Sequence, residues 1–179
     1  MKTARPLDFL ACPPPRSPRI RQAGFHLLGF SVLLCALGLA AVVAGPRLQQ
    51  AQQTERSAAV ARDLKTFAAG INGYAHDRGD WPAAALLPGE PPIGVDKFFF
   101  AADWLRPTPI GGRYTWAPNS RHQGERYRAV IVIASLGPNQ VTTARKQLEE
   151  IDHLLDDGDL QTGKFRLGYR NYPMWVIEH

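Results

Sequence analysis

From Phe25 to Gly45 the sequence reads FHLLGFSVLLCALGLAAVVAG, 21 residues without a charged side chain. At about 1.5 Å of rise per residue a helix of that length spans roughly 31 Å, close to the hydrocarbon thickness of a bilayer. The pattern changes after Pro46. Gln49, Gln50, Gln52 and Gln53 suit water, and apolar residues then recur at Val60, Leu64, Phe67, Ala68, Ile71, Tyr74 and Ala75. Steps of three and four place these on one helical face, which predicts a helix packed on a core. Arg62, Asp63 and Lys65 fall on its other faces. The helix is expected to fade near His76, with Gly79 as a stop signal ahead of Trp81-Pro82.

Residues 79–112 are rich in Pro and Gly and read as a long loop. Phe98, Phe99, Phe100 and Trp104 within it are expected to tuck over the helix as core, with a protein-contact patch as the other reading. Alternation around Tyr114 and Trp116 predicts a strand over residues 113–117, and YRAVIVIAS predicts a stronger one over 127–135. A turn at Leu136-Gly137-Pro138-Asn139 leads to an amphipathic helix predicted over 141–155. Its apolar side carries Val141, Ala144, Leu148, Ile151, Leu154 and Leu155. Residues 165–169 and 173–178 close the chain as a hairpin of strands. The fold class expected is α+β: a long N-terminal helix, half transmembrane and half amphipathic, packed on a small antiparallel sheet with a second short helix.

Charge locates the first boundary. The formal net charge is +5, which invites a nucleic-acid reading. Lys2, Arg5, Arg16, Arg19 and Arg21 against Asp8 give residues 1–24 a net of +4, leaving +1 for the rest. The basic excess is thus a property of the N-terminus, and no nucleic-acid partner is expected. Arg121, Arg126 and Arg128 read as solvated surface. Basic residues before an apolar run put residues 1–24 on the cytoplasmic side. Three readings of the run compete: a plain signal-anchor, a secretory signal cut after Val42-Val43-Ala44, or a leader removed before the run with the anchor retained. Of the two cysteines, Cys12 lies in the leader and Cys35 in the apolar run, so the later sequence has no disulfide of its own. Cys35 reads as a small apolar filler, and Leu34 before it is too large for a lipoprotein site.

The junction favours the retained anchor. Ala23-Gly24-Phe25-His26-Leu27-Leu28 resembles the prepilin-type signal of type IV pilins and type II secretion pseudopilins: a glycine, then Phe, a short polar residue and two aliphatics. Pro46, 22 positions after Gly24, stands where that family often carries a helix-disturbing proline. Tyr74 to Pro82 resembles the family's passage from a helix ending in Tyr through Gly to Trp-Pro. Ser135 to Asn139 resembles its Ser-x-Gly-x-Asp turn. The resemblance implies a pilin-like fold, cleavage between Gly24 and Phe25 by a prepilin peptidase, and N-methylation of Phe25. It also implies a helix kink at Pro46 and packing of the apolar helix against other pilin or pseudopilin subunits.

The chain would then divide into a leader (1–24), a transmembrane half-helix (25–45), an amphipathic half-helix (46–78) and a head (79–179). It would cross a bacterial inner membrane once, with the head periplasmic or otherwise outside the cytoplasm. The implied function is a structural subunit of a type II secretion pseudopilus or type IV pilus-like fibre. The alternative is a single-pass anchored binding module that does not polymerise. One position departs from the family: where most members have a glutamate, fifth after the cut, this chain has Gly29. That acid is thought to attract the free N-terminal amine of a neighbouring subunit.

Little else points to chemistry. His76, His122 and His153 are isolated, and no His-x-x-x-His pair, cysteine cluster, Gly-x-Ser-x-Gly elbow or phosphate loop occurs. An exposed contact with Asp152 and Asp156 accounts for His153. Asp77 and Asp80 form a loop pair with no partner group. An enzyme is not expected. Asp156, Asp157 and Asp159 bunch oxygens of the kind calcium takes, but the EF-hand ligand loop and its closing glutamate are missing. The simpler reading is a helix end with Gly158 at its cap and solvated acids around it, and no cofactor is expected.

Overall fold

A computed structural model describes residues 23–179, except for the side chains of 23–28, 39–41, 43 and 44. Most of the expected leader, with Cys12, lies outside the described residues. α1 (Ala23–Arg78) is one helix of 56 residues with Pro46 inside it. The chain divides at that proline into two units, the second of them Pro46–His179. A proline has no N–H to give, so the Val42 carbonyl lacks its helical donor there.

In the second unit α1 packs on a sheet. α2 (Ala101–Leu105) is followed by β1 (Arg113–Trp116), β2 (Ser120–His122), β3 (Glu125–Tyr127) and β4 (Ala129–Ala134). Then come α3 (Arg145–Leu155), β5 (Phe165–Leu167) and β6 (Pro173–Glu178). Four strands make an antiparallel sheet in the order β1-β4-β6-β5, and β2 and β3 form a separate hairpin. The architecture is the α+β arrangement expected. Val60, Leu64, Phe67 and Ile71 of α1 are buried in one cluster with Tyr114, Trp116, Ile131 and Ile133 of the sheet and with Leu148 and Ile151 of α3. The opposite sheet face carries a smaller cluster of Tyr127, Val130, Met174 and Val176. β4 is therefore apolar on both faces, which is why it reads as a continuous run rather than an alternation.

The end of α1 falls where the glycine indicated: Gly79 N–H donates to the Ala75 carbonyl at 2.8 Å, closing the last turn. The aromatic patch lies on α1 because two helical glycines make room. A methyl at Gly70 would come within 2.6 Å of the Phe99 ring, and one at Gly73 within 3.0 Å of Phe98. Trp104, on the short α2 that the Pro/Gly-rich sequence concealed, is fully buried. Phe100 corrects the expectation. It is 80% exposed, because it stands at the extended residue that caps α2 and turns away from the helix its neighbours cover.

Three boundaries differ from the sequence reading. The strand expected over 127–135 breaks at Arg128, whose N–H donates to the Glu178 carbonyl at 3.0 Å. A bulge follows between Ala129 and Val130. The second helix starts at Arg145, not at 141. Val141 and Thr142 are held extended by bonds from their N–H groups to Ser135 Oγ and to the Ile110 carbonyl. The strand expected over 165–169 ends at Leu167, and a 3-10 turn at Tyr169–Asn171 carries the chain into β6.

One polar tie crosses from α1 to the sheet. Tyr114 Oη donates to Asp63 Oδ2 at 3.0 Å, and Arg106 Nη2 lies 3.6 Å from Asp63 Oδ1. Burial, then the Asp63 charge, pushes the Tyr114 hydroxyl far above the ordinary phenol range, so it stays a donor at any physiological pH. Tyr114→Phe is expected to lower unfolding stability by about 1 kcal/mol, since Asp63 keeps some exposure to water and keeps Arg106. Urea unfolding measures this, and an unchanged midpoint would mean that water replaces the bond without loss.

Candidate functional site

Two regions carry the candidate residues. In the first unit, Gly24 and Phe25 fall among the first residues of α1, and their side chains lie outside the described set. Gly29 is exposed, and a methyl built on it would touch nothing within 4 Å. Local packing therefore does not require glycine there. Phe30, Val32, Leu33, Leu34, Leu37 and Val42 are each more than half exposed. With 3.6 residues per turn they point around the whole circumference of the helix. Cys35 is a free thiol and exposed among them. Among the described residues no helix is long and apolar enough to cross a membrane. Positions 25–28, 39–41, 43 and 44 of the apolar run are outside that set.

The second region is the end of α3. Here Asp152, Asp156 and Asp157 bring one carboxylate oxygen each to within 4.8 Å of the others. Asp159, expected with Asp156 and Asp157, does not join them; its Oδ1 accepts from Gln161 N–H at 3.1 Å. Asp152 takes its place through helix geometry. Leu148, Ile151, Asp152 and Leu155 follow the offsets 0, 3, 4 and 7 of an inward stripe, so the aspartate points inward with them. It is completely buried, and neither oxygen has a hydrogen-bond partner. Burial raises its pKa to about 6, helped by the Asp157 charge and then the Asp156 charge. The Gly158 N–H opposes the shift but is not placed for a hydrogen bond.

The other two carboxylates are held by the loop that follows. Asp156 Oδ2 accepts from the Lys164 N–H. Asp157 accepts from Asp159 N–H at 3.0 Å and from the Thr162 hydroxyl at 2.8 Å, which together keep its pKa below the usual range. The contact proposed for His153 is absent: among the described residues no ion pair includes it, and its ring lies exposed against Gly158. Leu154 is also turned outward, at 43% exposure, so the apolar side of α3 is narrower than its sequence suggested.

No family model and no curated protein matches the chain. Among solved structures it is similar to the major type IV pilin PilA1 from Clostridium difficile. The TM-score is 0.51 at 12% identity, covering 71% of this chain and 97% of that one. At such identity the similarity is one of fold: this chain has the α+β fold of a type IV pilin, a long helix against a small antiparallel sheet.

Proposed function

We propose that the protein is a pilin-like fibre subunit, anchored by the apolar half of α1 and assembled through it, in a type II secretion pseudopilus or a type IV pilus-like fibre. The observation that carries this reading is the set of exposed apolar side chains Phe30, Val32, Leu33, Leu34, Leu37 and Val42, on every side of a helix whose continuation is the core helix of a pilin-type fold. Apolar surface of that extent is stable only when lipid or another subunit covers it. Prepilin peptidase would remove residues 1–24 and leave Phe25 as the N-terminus, with the head outside the cytoplasmic face of the inner membrane. A fibre subunit of this kind acts by packing, and the reading includes no catalytic step.

N-terminal sequencing of the membrane-bound protein tests the reading. A start at Phe25 is expected when the peptidase is present, and Gly24→Glu is expected to leave the full-length chain uncut. A mature start at Gly45, or cutting unaffected by Gly24→Glu, would refute it. Gly29 favours a second reading, an anchored module that stays single, because the acid that would meet a neighbour's amine is missing and no local packing demands the glycine. Cysteines placed along 29–42 separate the two: a fibre subunit crosslinks helix to helix, and a solitary anchor does not.

A further inference from the structure

We propose that the cavity between the start of α3 and Arg56 of α1 binds a phosphate group. A helix begins with N–H groups that lack a helical acceptor and with the positive end of its dipole. No side chain caps α3, and its first turn holds no acid. The Ala144 N–H donates to Thr142 Oγ1, and the Gln147 and Leu148 N–H groups both turn to the Ala144 carbonyl. Those of Arg145 and Lys146 have no acceptor among the described residues. A helix start alone would be ordinary. What separates this one is Gln147. It is only 8% exposed, its side-chain amide makes no hydrogen bond among the described residues, and it lines a cavity of about 220 Å³. Ala144 and, from α1, Gln49, Gln52, Gln53 and Arg56 complete the lining. A buried amide without a partner is costly, and an oxyanion in that cavity would accept from its N–H groups.

The charges agree with an anion. Arg145 and Lys146 stand in the first turn of α3, where the dipole disfavours cations. Glu149 answers Arg145 at 2.7 Å, but among the described residues neither Lys146 nor Arg56 has an ion pair. Glu150 is held aside, accepting from Ser57 Oγ at 2.9 Å. Phosphate suits the donors, because its oxygens can meet backbone N–H groups, an amide and a guanidinium at once. Two sources share that chemistry, a lipid headgroup and free phosphate, and orientation favours the lipid. Ser57 meets Glu150, and further along Lys65 Nζ donates to the Leu154 carbonyl at 2.9 Å, so α3 runs beside α1 in the same sense. The start of α3 therefore lies toward the Pro46 end of that half-helix. Gln49, Gln52, Gln53 and Arg56 follow Gly45 by 4, 7, 8 and 11 residues, one helical face just past the apolar run. That a lipid supplies the phosphate rests on the reading of α1 as an anchor; the site itself does not.

The test uses the full chain in two arms, both read by NMR from the Arg145 and Lys146 backbone amides and the Gln147 side-chain amide. In nonionic detergent micelles, inorganic phosphate is titrated against chloride at matched ionic strength. In lipid nanodiscs, phosphatidylglycerol is compared with phosphatidylcholine. Saturable shifts with phosphate are expected, with a dissociation constant on the order of 1 mM. Phosphatidylglycerol discs are expected to shift the same groups with no phosphate added. Shifts with phosphate but none with phosphatidylglycerol would make free phosphate the ligand of the site. The micelle arm needs no anchor, so a mature start at Gly45 would remove the lipid source and leave the site standing. Lys146→Glu is expected to weaken phosphate about 10-fold while raising Tm, since an acid suits a helix start. Gln147→Leu is expected to weaken it about 5-fold without a fall in Tm. Arg121→Gln, on the β2–β3 hairpin, should bind as the parent does. Four outcomes would each overturn the site: no shift in either arm, equal shifts with chloride, parental affinity in both the Lys146 and Gln147 variants, or an equal loss on Arg121→Gln.

Discussion

Phe67→Ala is expected to lower the stability of the unit Pro46–His179 by about 4 kcal/mol, the largest loss from any single side chain of α1. Phe67 is 2% exposed and meets three other aromatic rings. Its centroid lies 5.1 Å from Phe99, 4.9 Å from Trp104 and 4.9 Å from Tyr114, the last two edge to face. Those partners come from the connecting segment, from α2 and from β1, so one ring joins α1 to three parts of the fold. Removing it loses the transfer energy of the ring and leaves a void that large rigid neighbours cannot close. Each aromatic pair adds roughly 0.5–1.5 kcal/mol beyond the buried area. Against a domain stability of about 5–15 kcal/mol the change is a large fraction of the total. Near-ultraviolet circular dichroism on heating should place the variant's midpoint on the order of 15 °C lower. Phe100→Ala, at an 80% exposed neighbour of Phe99, should shift it little. Similar losses from both would show that the three consecutive phenylalanines act as one surface patch rather than as one buried ring pair and one exposed ring.

How much of this the sequence reveals depends on whether its pattern is local. The α1 stripe was legible because helical spacing is a property of consecutive residues, and Val60, Leu64, Phe67, Ala68 and Ile71 are all buried as expected. β4 was legible from its β-branched run. The β2–β3 hairpin was not, since Ser-Arg-His and Glu-Arg-Tyr carry no apolar alternation. Its turn at Gln123-Gly124, both at positive φ, was the remaining signal. Which of Phe98, Phe99 and Phe100 is buried depends on Gly70 and Gly73, far back along the chain on α1, and no local rule contains that. The acidic site failed for a sharper reason. Adjacency in sequence grouped Asp159 with Asp156 and Asp157, whereas the helix brings in Asp152 from a turn earlier. An aspartate at offset 4 on a stripe begun by Leu148 and Ile151 was the available clue. Gly24, Phe25 and Pro46 are legible in another way: they resemble a signal read by a peptidase and a membrane, so packing within the chain does not test them.

Gly111→Ala should be the most damaging single-methyl change in the head, at about 3 kcal/mol, and the comparison with Gly137→Ala shows why. Both glycines have positive φ, +82° and +59°, where an L side chain is strained by roughly 1–2 kcal/mol. At Gly137 nothing lies within 4 Å of the added carbon, so only that strain applies. At Gly111 the new carbon would overlap the Gln140 carbonyl oxygen, a backbone atom that cannot rotate away. Nor can the turn shift to make room. Gly111 N–H donates to the Thr108 carbonyl at 2.9 Å, the Thr108 hydroxyl donates to the Gly111 carbonyl at 2.5 Å, and Thr142 N–H donates to the Ile110 carbonyl at 2.9 Å. These bonds lock the entry to β1 against the segment leading into α3, so relief at Gly111 must break at least one of them or displace Val141 from the core. Urea midpoints for the two variants should therefore separate, with Gly111→Ala losing at least about twice the free energy of Gly137→Ala. Equal losses would mean that φ strain alone governs both, and that the 108–112 turn yields to Gln140 at no cost.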